Sequence, residues 1–210
     1  EPSYANTLGS QSIGSGSTGA IEDYFYNFDD AISVRKVDNG WELIVAISDV
    51  SHYIKTDTHL DHEAYDRATS VYLPNVVLPM LPSVLSDGLC SLCPHVDRLV
   101  KAVNIHLTEN GSVKSYQFHK AVICSKARVT YGQAQKIIDQ KAGEPEWLCS
   151  LLADAYDLYR QLDQKRKKRG ALEIDLPFTQ LIFDKKNKIQ SIKLGRRSES
   201  HKIIEEFMLL

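Results

Sequence analysis

Phe28-Asp29-Asp30-Ala31-Ile32-Ser33-Val34-Arg35-Lys36-Val37-Asp38-Asn39-Gly40-Trp41-Glu42-Leu43-Ile44-Val45-Ala46-Ile47 decides the fold class. Ala31 to Val37 and Trp41 to Ile47 are rich in β-forming residues and flank Asp38-Asn39-Gly40. An Asn-Gly pair between such runs marks a hairpin, because both residues tolerate the backbone angles of a tight turn. Trp41 to Ile47 is almost continuously apolar, the pattern of a central strand covered on both faces.

Downstream, Leu99 to Leu107 and Val113 to Ser125 form a second strand pair across Glu109-Asn110-Gly111. Between the two pairs, Thr58-His59-Leu60-Asp61 reads as a capping box that opens a helix running to about Thr69. Val71 to Met80 is apolar but broken by Pro74 and Pro79, with Pro82 just beyond, so it is expected to be extended and irregular. Tyr131 to Gln140 and Glu146 to Arg169 have helical patterning. The second ends in Lys165-Arg166-Lys167-Lys168-Arg169, which suits the helix dipole, with Gly170 as its stop. Leu172 to Leu176, Gln180 to Phe183 and Lys188 to Leu194 return to β character. From Ser198, the apolar stripe Ile203, Ile204, Phe207, Met208 has helical period. The expected class is α+β, a mixed, largely antiparallel sheet with packed helices.

Residues 1–20 are rich in Ser and Gly and carry few large apolar side chains, so they are expected to be flexible or loosely attached. Residues 1–27 are taken as a flexible or divergent N-terminal segment, and 28–210 as part of one domain. An apolar helix ending on Leu209-Leu210 suggests a domain truncated on its C-terminal side. A net charge of −2 gives no overall pull on nucleic acid, so any such surface must be a local patch. No apolar run reaches the roughly 20 residues a membrane span requires, and no membrane partner is expected. Four cysteines form no disulfide framework and suit a reducing, cytoplasmic compartment.

Asp29 and Asp30, with Glu22, Asp23 and Asn27 just upstream, form an acidic group at a strand start. Adjacent carboxylates suit Mg²⁺, a hard cation commonly held by one or two carboxylates, water and phosphate oxygens. Asp and Asn also cluster in turns for their own hydrogen bonds, and spacing alone does not separate the two. Cys90-Ser91-Leu92-Cys93 has no second Cys pair at zinc-finger spacing. His59 and His62 lack a third ligand and are expected on the surface. The basic run Lys165 to Arg169 suits either phosphate contact or a solvated helix end. Arg196, Arg197 and Lys101 are further candidates for a local phosphate-facing patch.

The remaining motifs form an ordered series. Phe28-Asp29-Asp30-Ala31-Ile32 leads to Val45-Ala46-Ile47-Ser48-Asp49-Val50-Ser51, then to Arg67, Thr69-Ser70-Val71-Tyr72-Leu73-Pro74 and Pro79-Met80-Leu81-Pro82. Leu85-Ser86, Gly88-Leu89-Cys90-Ser91-Leu92, Ala127-Arg128-Val129-Thr130-Tyr131, Arg169-Gly170-Ala171 and His201-Lys202-Ile203-Ile204-Glu205-Glu206-Phe207-Met208 continue it. In this order and spacing the series resembles the catalytic (RNB) domain of the ribonuclease II/ribonuclease R family, over roughly residues 28–210. The resemblance implies a Mg²⁺-dependent 3′→5′ exoribonuclease that hydrolyses single-stranded RNA to nucleoside 5′-monophosphates, with flanking OB-type domains in the full-length protein. It also implies Mg²⁺ held by four aspartates, of which Asp29 and Asp30 match the last two. Tyr72 matches a tyrosine beside the terminal nucleotide, and Glu205 or Glu206 an acidic substrate contact. Two positions depart from the pattern: Asn27 and Ile21 stand where the family has Asp, and Asp23 or Glu22 compensates only if the loop shifts. A third departure is Ile174 at a base-stacking Phe position, with Phe178 as a substitute. A non-catalytic RNA-binding module of the same fold is the alternative that these departures favour.

Overall fold

The computed structural model describes residues 13–15, 28–73, 76–140, 145–172, 178–183, 189–195 and 197–210. Their centre is a six-stranded sheet. β1 (Ile13–Ser15), β2 (Asp30–Val37) and β3 (Gly40–Ser48) are joined by β6 (Asp97–Leu107), β7 (Val113–Cys124) and β8 (Ala127–Arg128) in the order β7-β6-β3-β2-β1-β8. Every pairing is antiparallel except β1 with β8, so the sheet is mixed and largely antiparallel, as expected. Two short antiparallel pairs stand apart from it: β4 (Val71–Leu73) with β5 (Val76–Leu78), and β9 (Phe178–Phe183) with β10 (Ile189–Gly195). The helices are α1 (Val50–Tyr53), α2 (His59–Arg67), α3 (Tyr131–Gln140), α4 (Glu146–Lys168) and α5 (Glu199–Met208), with a single π-helical turn at Val84–Leu89. No described helix is long and apolar enough to cross a membrane.

The hairpin that sets the class forms with a two-residue loop, Asp38-Asn39, between paired Val37 and Gly40. Gly40 has φ +140, and a Cβ there would lie 1.9 Å from the Leu107 carbonyl oxygen of the next strand. Only glycine lets β3 begin so close to β6.

β3 is central and covered on both faces. On one face Leu43, Val45 and Trp41 meet α3, α4 and α5 through Ile137, Leu151, Leu158, Leu162 and Phe207. On the other, Ala46 packs with Phe28, Ala31, Leu92, Val100 and Ala121. α4 ends where Gly170 takes φ +81; Gly170 N–H donates to Lys167 O (3.0 Å) and Ala171 N–H to Arg166 O (3.3 Å). These two bonds satisfy the helix's last carbonyls.

Three features differ from expectation. Ile13–Ser15 pairs with β2 and β8, so this part of the Ser/Gly stretch is not loosely attached. Val71–Leu73 and Val76–Leu78 pair as two short antiparallel strands, a regular ladder where irregular chain was expected. The π-helical turn was not foreseen. It is tied down where Pro82 O accepts from Leu85 and Ser86 N–H (2.8 and 3.0 Å). The strand expected at Leu172 to Leu176 lies largely outside the described residues.

Candidate functional site

Phe28 anchors the acidic pair. Its N–H donates to the buried Ser91 Oγ (3.1 Å), and its carbonyl accepts from Leu92 N–H (2.8 Å). The Arg128 guanidinium lies 4.5 Å from the Phe28 ring centroid, a cation–π contact. The next carbonyl, Asp29 O, accepts from Ser48 N–H (2.9 Å), and Asp30 opens β2 opposite Ile47. The start of β2 and the end of β3 therefore bring Asp29, Asp30, Ser48 and Asp49 to one end of the sheet. Asp29 is exposed and Asp30 half-buried, so both carboxylates remain within reach of solvent.

Asp49 faces a different environment. It is only 1% exposed; Ser51 Oγ donates to its Oδ1 (2.7 Å), and Lys101 Nζ lies 3.6 Å from the same oxygen. A carboxylate this buried needs such partners. Beside it, burial pushes the Cys90 thiol up, and the charges of Asp29 and Asp49 push it the same way. Cys90 is thus a neutral packing residue next to the carboxylates. The hydroxyl of Ser48, buried beside it, opposes that rise. The sequence signal for this neighbourhood was the Ser48-Asp49-Val50-Ser51 motif. It did not show that Asp49 would be buried or that Lys101 would neutralise it.

Among the described residues, no group of three or more His, Cys, Asp or Glu is arranged to hold a metal ion. Adjacent carboxylates such as Asp29 and Asp30 are donors of the chemistry Mg²⁺ takes, alongside water and phosphate oxygens. Asn27, Asp23, Glu22, Ile21, Ile174 and Arg196 lie outside the described residues, as does the side chain of Phe178.

Tyr72 lies on the separate β4–β5 hairpin and is 54% exposed. Glu205 and Glu206, adjacent on α5, have different environments. Glu206 is buried with Arg166 Nη1 3.0 Å away, whereas Glu205 is half-exposed and accepts from Arg197 Nη1 (2.9 Å). Burial raises the Glu206 carboxyl's pKa, and Arg166 opposes that shift. Arg197 and much of the basic run are therefore occupied within the fold. Lys165 Nζ donates to Gly111 O (3.2 Å) and Ser112 Oγ (3.1 Å), Arg166 holds Glu206, and Lys167 pairs with Asp163 at 2.7 Å. Lys101, a second RNA-patch candidate, is the partner of Asp49. His59 and His62 are exposed on α2, as expected.

Residues 22–210 match the RNB domain. Ribonuclease R of Vibrio parahaemolyticus is 45% identical over 188 residues, covering 88% of this chain and 22% of that protein. Ribonuclease R of Escherichia coli is 41% identical over 88% of this chain and 23% of its own length. The structure of Mycoplasma genitalium RNase R in complex with double-stranded RNA is similar with a TM-score of 0.90 at 30% identity. That match covers 98% of this chain and 36% of the other. The chain spans about a quarter of the length of the curated relatives it matches.

Proposed function

This chain belongs to the RNB domain family, and from that premise we propose that it is part of a Mg²⁺-dependent 3′→5′ exoribonuclease. Its substrate would be single-stranded RNA and its products nucleoside 5′-monophosphates. The observation that carries the proposal is the anchored pair Asp29-Asp30, held at an accessible sheet end by Phe28, Ser48 and Ser91. Asp29 and Asp30 would hold the ion, with Asn27 contributing a neutral carbonyl oxygen and Asp23 a further carboxylate. Mg²⁺ bound there supplies positive charge against the phosphate oxygens of the scissile bond.

The protein's own residues orient the RNA. Tyr72 offers an exposed ring to the terminal nucleotide, and Glu205, steadied by Arg197, offers a carboxylate to sugar hydroxyls. Glu206 is buried against Arg166, so the substrate contact falls to Glu205. By the same reading Arg196 would add positive charge towards the RNA phosphates. Flanking OB-type domains complete the RNA path in the full-length protein; the chain's small share of its relatives' length supports this. Four free cysteines support a reducing, cytoplasmic setting.

Asn27 and Ile21, at positions where the family has Asp, favour a second reading: a module that binds RNA without hydrolysing it. The test is release of labelled 5′-monophosphate from 3′-labelled single-stranded RNA with Mg²⁺, alongside binding in EDTA. The expected result is release that stops in Asp29→Asn and Asp30→Asn while affinity stays within about threefold, because the RNA-orienting side chains are untouched. Unchanged turnover in both variants would refute the ligand assignment. Tight binding with no release by the full-length protein would favour the second reading.

A further inference from the structure

Residues directly opposite one another in a β-ladder project from the same face. Asp30 is paired with Ile47, Ile47 with Lys101, and Lys101 with Lys120, so one row on one face runs from the acidic pair to the sheet edge. At about 4.8 Å per strand, the row spans roughly 14 Å. The edge strand is β7. Along it, on the same face as Lys120, come Phe118 and Tyr116, opposite Val103 and Ile105. The helices cover Ile105 but leave the edge bare: Phe118 is 74% and Tyr116 64% exposed. Their rings meet edge-to-face with centroids 5.7 Å apart.

The charge around these rings is positive. β7 itself carries Lys114 and Lys120 and no carboxylate, in a chain whose net charge is −2. Lys114 Nζ donates to the neutral Asn39 carbonyl (2.7 Å), which leaves its charge uncancelled. A protein-binding face would be depleted of lysine at its core. Exposed aromatic rings interleaved with lysines instead suit a single-stranded polyanion, whose bases stack without regard to sequence and whose phosphates pair with ammonium groups.

We propose that Tyr116, Phe118 and Lys120 form a second subsite for single-stranded RNA. This stacking platform holds nucleotides upstream of the one at Asp29 and Asp30. It rests on the reading of that acidic pair as the end of the RNA path. The platform should matter for long RNA and not for short RNA.

The test is fluorescence anisotropy on the 210-residue chain in EDTA at low salt, with fluorescein-labelled oligouridylates of twelve and three nucleotides. Tyr116→Ala/Phe118→Ala should weaken 12-mer binding by at least about tenfold and leave the trimer within about twofold, since only stacking on the platform is lost. Phe118→Trp should retain 12-mer affinity, and Lys120→Ala should reduce the slope of log K against log salt by about one. An unchanged 12-mer affinity in the double alanine variant would overturn the platform while leaving the hydrolytic reading intact. No RNA binding by the unmodified chain would overturn both. A concentration-dependent dimer that disappears in the double alanine variant would assign the aromatic pair to protein contact and overturn the RNA subsite.

Discussion

Replacing Arg166 by methionine tests whether α5, which carries Glu205, is locked to α4 by one charge. Arg166 Nη1 lies 3.0 Å from Glu206 Oε1 and 4.0 Å from Glu205 Oε1. Glu206 is 8% exposed, on the same helix as the core residues Ile203 and Phe207. Methionine keeps much of the arginine's apolar stem and removes only the charge and its hydrogen bonds. Stripping one partner from a buried pair costs about 3–5 kcal/mol. The Arg166 side chain is 23% exposed, so solvent screens part of this, and about 2–3 kcal/mol is expected. The assay is urea unfolding followed by tryptophan fluorescence, because Trp41 lies in the cluster that α4 and α5 cover and Trp147 packs against it. In a Glu206→Gln background the same change should cost under about 1 kcal/mol, giving a coupling energy of about 2 kcal/mol.

The pH dependence has a definite sign. Burial, the largest influence, raises the Glu206 carboxyl above its ordinary 4.5. As pH rises above 4.5 the unfolded chain releases this proton before the folded one, so stability falls until the folded group has also ionised. Loss of Arg166 removes the main opposing charge and deepens that fall. Arg166→Met should therefore lie closer to the unmodified protein at pH 5 than at pH 8. A cost below about 0.5 kcal/mol would refute the reasoning, as would an equal cost in the Glu206→Gln background or a larger cost at pH 5.

Two further outcomes follow from the anchoring contacts. Ser91→Ala removes the acceptor of the buried Phe28 N–H. It should cost about 1–3 kcal/mol by thermal melting and lower hydrolysis in parallel, because Phe28 positions Asp29. His201 stacks on Tyr131 at 3.9 Å and its Nδ1 lies 2.6 Å from Ser198 Oγ. Burial, then the charge of Arg197, pulls its pKa below 6.5. On acidification the unfolded chain takes up this proton first, so stability is lost as pH drops below 6.5 until the folded imidazole also protonates. His201→Gln should flatten that part of the urea-midpoint profile, and an unaltered profile would count against it.

What could be read from the sequence was mostly short-range. Asp38-Asn39-Gly40 announced its hairpin, and the Lys165–Arg169 run before Gly170 announced a helix end; both are decided by backbone angles within a few residues. The hairpin at Val71–Leu78 and the π-helical turn at Val84–Leu89 were missed. Each is too short for a periodic signal, and proline spacing can be read as irregular chain or as strand punctuation. Charge was the least legible property. Lys165, Arg166 and Lys101 looked like phosphate contacts, yet each is used inside the fold, by Gly111, Glu206 and Asp49 respectively. Those partners are distant in sequence, so no local pattern could pair them.

The same limit explains why the aromatic edge escaped a reading that found the acidic pair. Asp29 and Asp30 stand together in the chain, and a spacing motif finds them. Tyr116 and Phe118 join Asp30 only through strand register, by way of Ile47, Lys101 and Lys120. A one-residue slip of β7 would turn both rings to the opposite face, where Ala121 and Ile123 are now buried. The register that buries those two residues is therefore the register that displays the rings beside Lys120. Core packing on one face of β7 thus fixes the position of a binding surface on the other. Substitutions at Ala121 that shift the strand should weaken long-RNA binding without touching any residue that meets RNA.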